Sequence, residues 1–128
     1  MAVVVYPKAK EAMLSPGINL ATANVKAALI DTGTYTYSAA HDFLNDVTGV
    51  VGTSGNLASK TVTSGVFDAA DITISGVTGA TVEAVIVYID SGVSSSSTLL
   101  SYHDGLTLTP NGGDVTIQWS ASGIFALT

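Results

Sequence analysis

Hydrophobic positions along this chain change their rhythm near residue 48. Before that point two stretches carry helical spacing; after it, β-branched residues alternate with frequent glycines. Ala2–Tyr6 is apolar and rich in valine, which predicts an extended segment. Pro7 suits the first position of a helix, where its missing N–H costs nothing. The helix continues over Lys8–Leu14, turns Ala9, Ala12 and Met13 inward, and is stopped by Ser15-Pro16-Gly17. Val25–Ile30 reads as the first substantial strand, closed by the turn Asp31-Thr32-Gly33. Ala40, Phe43, Leu44 and Val47 then recur three and four apart, predicting a second short helix over Ala39–Asp46 with Ser38 as its N-cap.

Further strands are expected at Leu57–Thr63, Val66–Ala69, Ile72–Ser75, Thr81–Asp90, Leu99–His103, Leu106–Thr109, Asp114–Ser120 and Gly123–Thr128. Ser64-Gly65, Asp104-Gly105 and Asn111-Gly112-Gly113 supply turns, because these residue types tolerate positive φ. Thr81–Asp90 alternates at first and becomes continuously apolar from Val85 to Ile89, as in a strand covered on both faces. Ser94–Ser97 reads as a flexible loop. The pattern predicts a mainly β, single-domain antiparallel sandwich, jelly-roll-like, with one or two short helices near the N-terminus. Residues 1–24 form an extended arm plus short helix, and residues 25–128 form the β-sandwich domain.

Charge sharpens this picture. All four lysines lie in residues 1–60, balanced by Glu11, Asp31, Asp42 and Asp46, and arginine is absent. Residues 61–128 hold six acids and no basic residue, so the whole formal net charge of −6 falls there. Nothing can build the basic patch that nucleic acid or an anionic membrane surface requires. With no cysteine, disulfides and thiolate zinc sites are excluded. The first six residues lack the basic start and the apolar length of a secretory signal.

Chemistry is sparse. His41-Asp42 and His103-Asp104 are sequence neighbours whose side chains diverge, and no nucleophile elbow accompanies them. Asp42 with Asp46 reads as a solvated helix face, and Asp68 with Asp71 as turn caps. Trp119 shares a face with Val115 and Ile117 and belongs to the core. Tyr35 and Tyr37 are expected to be exposed together over a sheet edge. No enzyme, cofactor or metal is predicted. The apolar ends are the remaining feature, since unpaired strand edges invite pairing with a partner. Ala2, Val3, Val4, Val5 and Tyr6 are the expected partner-contact residues.

An ordered series of segments resembles a family of small structural proteins of tailed-bacteriophage virions. It runs through Val25-Lys-Ala-Ala-Leu-Ile-Asp31, Tyr37-Ser-Ala-Ala-His-Asp-Phe-Leu-Asn-Asp-Val47, Ala58-Ser-Lys-Thr-Val-Thr63 and Val66-Phe-Asp-Ala-Ala-Asp71. It continues with Ala84-Val-Ile-Val-Tyr-Ile-Asp-Ser-Gly92, Thr98-Leu-Leu-Ser-Tyr102, Asp114-Val-Thr-Ile-Gln-Trp119 and Gly123-Ile-Phe125. The resemblance implies a non-catalytic virion component. Lack of a coiled-coil or collagen-like shaft favours the head, where capsid decoration (cement) proteins bind the outer shell in many copies. The implied partners are the major capsid protein and further copies of the chain, with a trimer as first expectation. The implied place is the outer surface of the virion, after synthesis in the host cytoplasm. A tail or fibre-associated role and a host-surface carbohydrate-binding module are the alternatives.

Overall fold

A computed structural model describes residues 3–14 and 18–126. In chain order these form β1 (Val3–Val5), α1 (Pro7–Leu14), β2 (Val25–Ile30), β3 (Val50–Thr53), β4 (Thr61–Thr63), β5 (Val66–Asp68), β6 (Ile72–Ile74), β7 (Ala84–Ile89), β8 (Leu99–His103), β9 (Val115–Ile117) and β10 (Phe125–Ala126). A 3-10 turn covers Leu44–Asp46. The protein is mainly β, and every strand pairing is antiparallel. The largest sheet has the order β1-β8-β7-β2-β3; two smaller ones are β10-β5-β4 and β6-β9.

The apolar run in β7 places it at the centre of the large sheet, with five of its six residues buried. Cα partners share a face of a sheet, so the register sorts the core. Ala28, Ile86, Tyr102 and Val4 line one face; Leu29, Val85, His103 and Val3 line the other. Burying a valine, leucine or isoleucine stabilises by roughly 1.5–3 kcal/mol, so these central strands dominate the stability. Ile74, Val77, Val82 and Ile117 cover Leu29 and Val85. Phe67 of β5 and Phe125 of β10 stack with ring centres 5.4 Å apart and join the larger core.

α1 follows its predicted polarity: Ala9 is buried, Met13 packs against the core, and Leu14 is 88% exposed. The extended N-terminal segment is an integral strand rather than a free arm. Val3 pairs with His103, Val4 with Tyr102 and Val5 with Ser101, so residues from the two predicted regions share one sheet. The two charge halves interleave as well: β2 lies between β7 and β3, and Lys26 meets Asp90 at 2.7 Å.

The expected helix over Ala39–Asp46 is absent. Ser38 instead accepts the Ala40 amide in a local turn, and the chain then runs beside the segment leading into β8. Leu44 N–H donates to the Ser97 carbonyl and Leu99 N–H to that of Asp42. Those tertiary bonds outcompete a short helix whose propagation would gain few bonds. β3 was not predicted, because Gly49 and Gly52 resemble punctuation. Leu106–Thr109 is not a strand: Leu108 makes one isolated bridge to Val82, and Leu106 N–H donates to Glu83. The chain after Asp104-Gly105 therefore pairs with residues 82–83 instead of returning along β8. Ser64-Gly65 does form the predicted tight hairpin between β4 and β5, with φ of 52° and 78°. Two positive φ values suit the right-handed twist of a short hairpin.

Candidate functional site

An exposed apolar strand edge lies where β1 approaches β10. Val3 is 46% and Val4 41% exposed, whereas Val5 is buried and Tyr6 fully so. Of the expected contact residues, Val3 and Val4 therefore face outward, Val5 and Tyr6 are committed to the core, and Ala2 lies outside the described residues. A groove of about 540 Å³ runs between this edge and the segment from Ser120 to Ala126, with Lys10 on its wall. Valine-rich sequence makes the strand, and Pro7 ends it by starting α1.

Tyr6 anchors the edge from within. Its hydroxyl bonds that of Tyr35 at 2.8 Å, and the Tyr35 hydroxyl bonds Nδ1 of His41 at 2.7 Å. Tyr37 and Tyr102 complete the cluster, with ring centres 5.3 Å apart. Burial pushes both the Tyr6 and Tyr35 hydroxyls above the ordinary tyrosine range. These phenols stay neutral at physiological pH and serve as hydrogen-bonding struts. The expectation that Tyr35 is exposed with Tyr37 fails: Tyr35 is buried and Tyr37 half-buried. Their spacing of two did indicate a shared face, but not that the face would turn inward.

His103 is buried on the opposite face of the large sheet, with Nε2 2.8 Å from Ser101 Oγ. Desolvation lowers its pKa to about 4, against the smaller opposing effect of Asp104. A serine beside a histidine suggests acyl transfer, yet Ser101 has no exposed surface and, among the described residues, no carboxylate bonds the ring. This pair satisfies polar atoms inside the sheet. Sequence reasoning examined His103 with Asp104 and missed Ser101; the i, i+2 spacing on a strand was the available signal.

The acidic residues act locally. Asp46 is not on a helix face; its carboxylate accepts the Asp42 and Phe43 amides. The bond from the Asp42 amide is the main cause holding its pKa below the usual carboxylate range. Asp68 accepts the adjacent Ala69 amide, and Asp71 accepts that of Trp119 across the chain. No group of three or more His, Asp or Glu side chains suited to holding a metal occurs among the described residues. Trp119 is half-buried, donates its indole N–H to the Ala70 carbonyl and lies 5.9 Å from the His103 ring centre.

Ser91, Ser96 and Ser97 bond one another through their hydroxyls, at 2.7 Å and 3.2 Å from Ser91. Ser97 also donates to the Val93 carbonyl, so the serine run expected to be flexible is tied by its own side chains. What remains distinctive is an antiparallel β protein with an open, apolar strand edge beside a groove. No protein-family model matches this chain, and no curated protein matches it in sequence.

Proposed function

We propose that this protein is a structural component of a bacteriophage virion, most simply a decoration protein that binds the outer capsid shell in many copies. The observation that supports this reading is the unpaired edge of β1, with Val3 and Val4 exposed beside a groove. An uncovered apolar edge is a liability in a free monomer and an asset in an assembly. The ordered family resemblance supplies the virion, and the charge pattern argues against nucleic acid as the partner. Trp119 and the Tyr6–Tyr35–Tyr37–Tyr102 cluster are engaged in packing and hydrogen bonds, which weakens the carbohydrate-binding alternative.

The test is to mix purified protein with undecorated heads and image the particles by cryo-electron microscopy. Regular density on the outer shell is the expected result. Binding confined to tails would move the protein to the tail, and no binding to either would overturn the virion reading.

A further inference from the structure

The edge of β1 has a defined hydrogen-bonding polarity. Tyr6 N–H donates to the Leu100 carbonyl at 3.0 Å, which makes these two a bonded pair across the sheet. Bonded and non-bonded pairs alternate in an antiparallel ladder. Val4 with Tyr102 is accordingly the next bonded pair, while Val3 and Val5 turn their N–H and C=O groups toward the free side. Four backbone groups thus face away from β8. Within Val3–Val5 there is no charge, proline or bulge to discourage pairing.

Lys10 adds a chemical preference. Lys8 pairs with Glu11 at 3.1 Å, Lys26 pairs with Asp90, and Lys60 donates to the Ala23 carbonyl. Among the described residues, Lys10 is the lysine whose ammonium has neither an ion pair nor a hydrogen bond. It lines the groove together with Val3–Val5 and the hydroxyl-bearing Ser120 and Ser122.

We propose that the free edge of β1 accepts an extended strand from another polypeptide, apolar at alternate positions and carrying a carboxylate that meets Lys10. Strand addition of this kind takes its affinity from main-chain bonds and its specificity from side-chain pockets. A second copy docking through its own β1 would offer valines and no acid, leaving Lys10 unmatched. Resting on the virion reading, the proposal takes the strand's source to be the shell subunit.

Two variants separate the components. Val3→Pro removes an outward donor and sets a ring on the pairing side, and it spares β8 because the Val3 amide takes no part in that ladder. Lys10→Glu reverses the charge. The probe is the peptide acetyl-Thr-Val-Asp-Val-Thr-Val-amide, titrated into isotope-labelled protein and followed by NMR. Expected are amide shifts centred on Val3 and Val5 with a Kd on the order of 1 mM, lost in Val3→Pro. Lys10→Glu should weaken the peptide by about fivefold and prefer a version with Lys in place of Asp.

The same variants are then tested for binding to undecorated heads, where both should lose occupancy. Undiminished head binding by Val3→Pro overturns the edge proposal and leaves the virion reading standing. Failure of the unaltered protein to bind heads, with the peptide shifts intact, overturns the decoration reading and the shell source but keeps strand addition. Absence of peptide shifts at β1 overturns strand addition itself. Concentration-dependent dimerisation abolished by Val3→Pro assigns the edge to a second copy and also overturns the proposal.

Discussion

Ser101 Oγ and His103 Nε2 lie 2.8 Å apart on one face of β8, both residues sealed from solvent. Burial holds the imidazole neutral by lowering its pKa from 6.5 to about 4. The unfolded chain therefore binds a proton on His103 between those pH values while the folded chain does not. The neutral ring's contribution is fully present above pH 6.5, is lost as the pH falls toward 4, and changes no further below that. The loss amounts to about 3 kcal/mol at most. Urea unfolding at a series of pH values should show this slope.

Replacing His103→Leu should flatten that slope and cost about 1–3 kcal/mol at neutral pH, because the Ser101 hydroxyl loses its partner. The double variant Ser101→Ala with His103→Leu should recover part of the loss. A pH slope that survives in His103→Leu would show that another group carries it.

The chain of Tyr6, Tyr35 and His41 links the core to the outer surface. Tyr6→Phe removes one bond and should cost about 1–3 kcal/mol, the penalty for disturbing a buried hydroxyl pair. Tyr35→Phe breaks both bonds and should cost more than Tyr6→Phe. Chemical denaturation of the two single variants and the double variant checks the order; equal costs would place the energy in the Tyr6–Tyr35 bond alone.

Gly123 precedes β10 with a φ of 103°, and a side chain there would run into Val66 Cγ1. Gly123→Ala should destabilise by about 1–3 kcal/mol through backbone strain, with the clash adding to it. Hydrogen exchange should quicken first at Phe125 and Ala126, which hold the edge of the β10-β5-β4 sheet. Unchanged protection there would contradict this account.

Phe67→Ala removes a ring that is 2% exposed and stacks on Phe125. A loss of about 3–5 kcal/mol is expected from the cavity and the missing burial, readable as a lowered denaturation midpoint.

Sequence pattern carried the elements whose signal is local and strong. The continuous run Val85–Ile89 announced a central strand, Ser64-Gly65 announced a hairpin, and Pro7 marked a helix start. Elements decided by distant partners were harder to read. Ala40, Phe43, Leu44 and Val47 have helical spacing, yet the segment around Phe43 bonds to the chain around Ser97 and Leu99. Val50–Thr53 becomes a strand because β2 offers it an edge, a fact absent from its four residues. The candidate site was half legible. Valine-rich extension pointed to Val3 and Val4, but the burial of Tyr6 depended on Tyr35, and the position of Lys10 depended on how α1 sits against β8.

The pairing of Val3 with His103 joins residues about a hundred positions apart. On the ribosome β1 emerges about a hundred residues ahead of β8, its hydrogen-bonding strand. Until then the opening valines have no native neighbour in the sheet, and such distant pairing slows folding. Closure of the five-stranded sheet consequently waits for β8. The surface on which a partner strand would dock comes into being only once β8 has been made and has taken its place beside β1.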